Sequence, residues 1–581
     1  MPARLRIVRL VFLFAMFGIV ARLFYWQVLS GDKLQAVAEI QRSSTIEIQS
    51  TRGRILAADG YPLVTNQPSY LLFAYLPAIS ADKAQISETL SPLIAPTPLE
   101  LKATPSAELT KSLIQDTKSE VFTKLTSRDV AWVPLKRKVS ENTKIAVEKL
   151  AINGLGFENG QSRLYPEASM AAALTGFVGV NPSGSAQGYF GLEGYYDLEL
   201  KGKSGFIKQE RDAAGKPIVV GDFRGSGARD GRDLKTSIDR GLQLTIEAKL
   251  QQALVKYGAK SGEVVVMDPS SGSIVALASL PGYEQANYAD FDTSVYKIPS
   301  IADTYEPGST FKAMVMAMAL EAGAIEPDTI CDATCDGPVT IGKYTINTAL
   351  KQYNPGQTMT NTLELSDNTG MIFAAFRLGK DKFAGYLHEF GFDTPTGIDL
   401  DQETVPAYRD TWGDIDLATG SFGQGLTVTS IHMLQVISAF ANGGVMMQPH
   451  VVDEVIGEIT QKIPPKMVKR IIKEDTARKI TQMLSDAAHN GLPKWMLPVG
   501  YKVAGKTGTA QVPLDGHYDT STTIHSYVGF APADKPRFAM IVKLKEPTFS
   551  PWASTTAAPL WMDIASDLFI HFGLPPSPES K

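Results

Sequence analysis

The sequence predicts an α+β chain carried on an N-terminal transmembrane helix, on three observations. These are an apolar run behind a basic start, strand-period stretches joined by tight turns, and longer stretches with helical spacing. Arg4, Arg6 and Arg9 precede the apolar run Leu10 to Ala21, and Leu23-Phe24-Tyr25-Trp26-Gln27-Val28-Leu29 follows Arg22. Basic residues ahead of an apolar segment hold that end in the cytoplasm, and an aromatic cluster suits the far interface. A helix from Ile7 to Val28 is just long enough to span, with Arg22 near enough to the outer end to snorkel. A cleaved signal peptide is the alternative, with Ala36-Val37-Ala38 as its A-x-A sequence, but that site lies too far beyond the apolar run. A retained single-pass anchor places everything after Leu29 outside the cytoplasm.

The elements follow in order. Thr45 to Ser50 alternates as a strand, and Arg54 to Ala57 reads as another, ending in the tight turn Asp59-Gly60. Ser80 to Lys118, rich in Ser, Thr, Pro, Lys and Glu, reads as a solvated excursion with little core. Gly221-Asp222-Phe223-Arg224-Gly225-Ser226-Gly227 resembles a linker, which sets the main boundary near residue 230. Beyond it, Ser237 or Asp239 can cap a helix through Leu242, Ile246, Leu250 and Leu254 that stops at Gly258. Glu263–Asp268 and Ser273–Leu280 form one hairpin, and Ser526–Ala531 and Phe538–Leu544 another. A helical segment from Thr555 to Phe572 closes an antiparallel sheet covered by helices.

Composition excludes several classes. With 581 residues, 44% hydrophobic, 20% charged and a net charge of -5, the chain is globular and has no field for gripping nucleic acid. Cys331 and Cys335 are too few for a disulfide scaffold and lack the second pair of a zinc site. A local disulfide and two unpaired thiols both fit their spacing. The seven histidines form no H-E-x-x-H and no G-x-S-x-G elbow occurs, so neither metal nor cofactor is expected.

The chemistry concentrates in three short motifs. In Pro307-Gly308-Ser309-Thr310-Phe311-Lys312 strong helix formers follow, so Ser309 falls at a helix start and Lys312 comes onto the same face. A serine hydroxyl needs a base, and a lysine serves only if its pKa is depressed. Ser366-Asp367-Asn368 lies between two helical segments, where a turn can aim Ser366 and Asn368 into one cleft. Lys506-Thr507-Gly508-Thr509 sits in a strand-like stretch where a glycine leaves the strand bare for an extended peptide.

Serine with lysine three residues on, then S-x-N, then K-T-G, resembles the signature set of penicillin-binding proteins and serine β-lactamases. The wider chain is similar to the class B, monofunctional members. Arg52-Gly53-Arg54-Ile55 with Asp59-Gly60, Gly191-Leu192-Glu193-Gly194-Tyr195-Tyr196 with Leu200 and Gly202, Phe392-Asp393-Thr394-Pro395-Thr396-Gly397-Ile398, and Ser421-Phe422-Gly423-Gln424-Gly425 carry that likeness. It is weakest over residues 80 to 150, and Ala57-Ala58-Asp59-Gly60 departs from the usual Asp-Arg-Asn-Gly.

The resemblance implies an anchor over residues 1–30 and an elongated mixed pedestal of the dimerisation type over 31–230. A transpeptidase domain like that of the penicillin-binding and serine β-lactamase families would span 231–575, and a tail 576–581. It implies a D,D-transpeptidase in which Ser309 attacks the penultimate D-alanyl carbonyl of a peptidoglycan stem peptide and Lys312 takes its proton. Ser366 and Lys506 would relay a proton to the leaving amine, and Asn368 would hold the substrate backbone. The N–H groups of Ser309 and Thr509 would form the oxyanion hole, and Thr507, Gly508 and Thr509 would line the carboxylate site. β-Lactams would mimic the donor and stall as acyl-enzymes. Implied partners are the membrane, a membrane glycan polymerase and other cell-wall or divisome proteins, with division favoured over side-wall elongation.

Gly500-Tyr501-Lys502-Val503-Ala504-Gly505-Lys506-Thr507 also satisfies the phosphate-loop pattern, but Ala510-Gln511-Val512-Pro513 cannot readily continue the helix such a loop requires. A D,D-carboxypeptidase or β-lactamase shares all three motifs and differs in whether water or an amine resolves the acyl-enzyme. A catalytically idle β-lactam-binding scaffold or sensor is the rival from another class; intact Ser309 and Lys312 count against it.

Overall fold

Alternation along one strand shows how the catalytic layer is built. In Ser261–Met267, Val264 and Val266 enter one buried core while Val265 and Met267 enter another, as a two-residue period requires. The computed structural model describes residues 3–98, 104, 106–128, 130–182, 184–210, 223–409, 411–514 and 517–576.

The described backbone separates into two units. The first joins Met1–Arg52 to Lys201–Gly231. It holds the helix Ala3–Phe24, which continues as a π turn through Leu29; Ala3–Leu29 is long and apolar enough to cross a membrane. It also holds an antiparallel sheet of Ser43–Ile48, Gly205–Glu210 and Phe223–Ser226. Gly221 and Asp222 of the expected linker lie outside the described residues. Phe223–Ser226 is a strand instead, its backbone groups paired to Gly205–Glu210.

The second unit joins Gly53–Leu200 to Arg232–Lys581. Its first sheet mixes distant segments: Asp233–Thr236 runs parallel to Ile55–Leu56 and antiparallel to Val452–Ile456. Gly60, at φ +84°, makes the turn between Ile55–Leu56 and Pro62–Tyr75. The stretch expected to be a solvated subdomain or excursion with little core holds helix Lys83–Ile94 and most of helix Ala107–Leu125. They have a core of their own: Ile86, Leu90 and Ile94 pack with Val121, Leu125 and Val133.

The catalytic sheet has five strands: β1 (Ser261–Met267), β2 (Ile274–Leu280), β3 (Ala504–Leu514), β4 (His517–Ala531) and β5 (Phe538–Lys545). They run antiparallel in the order β2-β1-β5-β4-β3, so β3 is an edge. Helix α1 (Arg240–Tyr257) is capped by Asp239, whose carboxylate accepts from Leu242 N, and ends at Gly258 with φ +60°. Leu242, Ile246 and Leu250 of α1 share a core with Trp561 and Leu568 of the final helix, Ala557–His571, on the Val264 face. The Val265 face packs against buried helices Lys312–Glu321 and Ser430–Ala441. Cys331 and Cys335 are joined by a disulfide.

Candidate active site

Gly308 adopts φ +55°, and a Cβ there would come within 3.0 Å of the Thr509 carbonyl oxygen, so the turn needs a residue without one. The turn Gly308–Phe311 is a 3₁₀ helix that runs directly into Lys312–Glu321. Three residues per turn eclipse positions i and i+3, which puts Ser309 and Lys312 on one face. Ser309 is half-buried and Lys312 fully buried. Ser309 Oγ makes no hydrogen bond among the described residues, so it is not tied to Lys312 directly.

Lys312 Nζ instead donates to the Ser366 carbonyl at 2.5 Å and to Asn368 Oδ1 at 2.7 Å, and stands 3.3 Å from Ser366 Oγ. Burial first, and the charge of Lys506 second, hold this amine well below a lysine's ordinary pKa, against the pull of Asp367. Asp367 caps the helix Asn368–Leu378, accepting from Thr369 N at 2.7 Å and Gly370 N at 3.1 Å. That cap fixes the turn in which Ser366, with φ +53°, exposes both its carbonyl and its hydroxyl.

From the sheet side, Lys506 Nζ donates to Ser366 Oγ at 3.0 Å. Burial lowers its pKa to about 8. Lys506, Thr507, Gly508 and Thr509 lie within β3, not on a loop leading into a helix, which is incompatible with a phosphate loop. The glycines of this strand serve packing rather than exposure. A Cβ at Gly505 would meet the Tyr527 ring at 2.6 Å, and one at Gly508 would meet Thr310 Cγ2 at 2.8 Å and the Pro307 carbonyl at 2.9 Å. What leaves β3 available to a peptide is its position at the end of the sheet.

A cleft of about 440 Å³ is lined by Ser309, Ser366, Asn368, Lys506, Thr507 and Thr509. Lys312 reaches the cleft through Ser366 and Asn368, and Gly508 packs on the turn that carries Ser309. Three motifs, the second and third of them 140 residues apart, thus meet in one groove. Several groups in or beside the cleft escaped the sequence reading. Gln424 stands on a turn held at Gly423, whose carbonyl accepts from Gly308 N at 3.0 Å. The Asn347 carbonyl accepts from Asn368 Nδ2 at 2.9 Å, and Ala553 N donates to Thr509 Oγ1 at 3.0 Å. The glycines flanking Gln424 were the only local signal; Asn347 and Ala553 act through backbone atoms and leave none.

Ser366 held between two buried lysines, with Ser309 in the same cleft and a sheet edge along it, is the arrangement of a serine acyltransferase. Comparison with known proteins agrees. Residues 262–566 match the penicillin binding protein transpeptidase domain, and residues 47–236 the penicillin-binding protein dimerisation domain. Stage V sporulation protein D of Bacillus subtilis is 32% identical over 577 residues, covering 96% of this chain and 83% of that protein. The peptidoglycan D,D-transpeptidase FtsI of Escherichia coli K12 is 27% identical over 546 residues, covering 92% of this chain and 86% of FtsI. A peptidoglycan synthetase from Bifidobacterium adolescentis superposes with TM-score 0.72 at 24% identity, covering 93% of this chain and 98% of that one, which shows the shared fold. The chain belongs to the penicillin-binding protein transpeptidase family, in its class B form.

Proposed function

We propose that this protein is a serine D-Ala-D-Ala transpeptidase that cross-links peptidoglycan stem peptides and is acylated by β-lactams. The observation that carries the reading is the pair of lysines, 312 and 506, meeting at Ser366 beside Ser309. Ser309 attacks the donor carbonyl. Two hydrogens of a neutral Lys312 amine go to the Ser366 carbonyl and Asn368 Oδ1, which leaves its lone pair to take a proton from a hydroxyl. Lys506, protonated below about 8, returns a proton through Ser366 to the leaving amine. The Ser309 and Thr509 N–H groups stabilise the oxyanion, at about 3 to 4 kcal/mol per donor. Asn368 holds the donor backbone, and Thr507, Gly508 and Thr509 receive its carboxylate end along the β3 edge.

Among the described residues, one helix is long and apolar enough to suit a single-pass membrane protein. Within the proposal its N-terminus is cytoplasmic and its catalytic domain lies outside the cytoplasmic membrane. The domains run 1–30, 31–230 and 231–575, with a tail over 576–581. A membrane glycan polymerase and other cell-wall or divisome proteins act beside it, with division favoured over elongation.

Incubation with a D-Ala-D-Ala-terminated donor and a D-amino acid acceptor tests this reading. The prediction is an exchanged peptide bond with release of one D-alanine, lost in Ser309→Ala. Hydrolysis alone, with no amine incorporated, would make the protein a carboxypeptidase.

A further inference from the structure

A charged pair lies buried beneath the catalytic groove. Glu263 of β1 and Lys543 of β5 are register partners with Oε1 and Nζ 2.9 Å apart, and their side chains are 2% and 9% exposed. The same row crosses the sheet from Lys543 to Ser526 and from Ser526 to Gly508. Gly508 in turn meets Pro307 and Thr310 of the nucleophile's turn.

The pair also reaches upward to both sides of one backbone bridge. Tyr305 and Val428 exchange N–H···O bonds at 2.9 Å each, four residues before Ser309 and three after Gly425. Lys543 Nζ stands 4.4 Å from the Tyr305 ring centroid, and Ser430 Oγ donates to Glu263 Oε1. Thus the lysine holds the nucleophile's side of the bridge and the glutamate holds the other.

Stability alone does not account for this arrangement. Replacing a buried ion pair by apolar residues of similar volume is often neutral or stabilising, and here Glu263 Oε2 is buried with no hydrogen-bond partner. We infer that Glu263 and Lys543 are positioning residues: they clamp the Tyr305–Val428 bridge to the sheet row ending at Gly508, and so set the place of Ser309 relative to Thr509. This inference rests on the assignment of Ser309 as the acylated residue.

The test is the double variant Glu263→Leu with Lys543→Met in the full-length protein. Acylation by a fluorescent penicillin is followed by stopped flow, with thermal unfolding in parallel. The clamp predicts an unfolding midpoint at or above that of the unaltered protein. It also predicts a first-order acylation constant lower by about ten- to a hundredfold, with the pre-acylation dissociation constant unchanged. Equal acylation rates in the two proteins would overturn it. If the double variant does not fold, Ser430→Ala decides: slower acylation in a folded protein supports the clamp, and an unchanged rate overturns it. Failure of the unaltered protein to acylate at all, or acylation of Ser309→Ala, would instead refute the nucleophile's assignment.

Discussion

Ser366 Oγ lies 3.0 Å from Lys506 Nζ, and the same oxygen lies 3.3 Å from Lys312 Nζ. One hydroxyl therefore joins the amine on the nucleophile's helix to the ammonium on the sheet edge. Its removal separates the two without unburying either. Ser366→Ala is predicted to keep the fold and to slow acylation by about 10²- to 10³-fold, the range of a lost proton-transfer partner. Stopped-flow acylation checks this; a loss of less than threefold would remove Ser366 from the relay.

The two lysines also set the pH dependence. Lys506, lowered by burial to about 8, is charged below that pH, so acylation is predicted to fall as pH rises through about 8. The acid limb belongs to Lys312, which works only when neutral; its pKa is depressed first by burial and then by Lys506. Lys506→Arg should carry the alkaline limb far upward, because guanidinium stays charged. In Lys506→Met the acid limb of the residual activity should move to higher pH, because the repulsion on Lys312 is gone. A pH–rate series on the three proteins measures both limbs.

Gly508 contacts the nucleophile's turn where a Cβ would lie 2.8 Å from Thr310 Cγ2 and 2.9 Å from the Pro307 carbonyl. Gly508→Ala is predicted to cost about 1–3 kcal/mol in denaturant unfolding, as overpacking does. Acylation should fall at least about tenfold, since the turn and β3 carry the two N–H groups proposed as oxyanion donors.

Asp399 joins distant parts of the second unit: its carboxylate accepts from Val451 N at 2.6 Å, Val452 N at 2.9 Å and Tyr196 OH at 2.9 Å. Val451 and Val452 are fully buried, so Asp399→Ala leaves donors unpaired and should cost about 3 kcal/mol in urea unfolding.

Much of this was legible in the sequence. The convergence of the three motifs was readable because side chains at fixed spacings mark them, and helix α1 because Asp239 and Gly258 mark its ends chemically. The helices between Ser80 and Lys118 were missed although Ile86, Leu90 and Ile94 repeat at four residues; the polar residues around them masked the stripe. Phe223–Ser226 was missed because glycines at 225 and 227 read as a linker, whereas backbone pairing to Gly205–Glu210 decides its state. The direct partners of Lys312 were not legible, because one is a carbonyl placed by the left-handed turn at Ser366.

Acylation at Ser309 is tested most directly by covalent labelling. Full-length protein and Ser309→Ala are each exposed to a fluorescent penicillin, denatured, and resolved by gel, with the labelled peptide located by mass spectrometry. Covalent label is expected on the peptide containing Ser309 and none on the variant. Label on both proteins, on neither, or on another residue would contradict it.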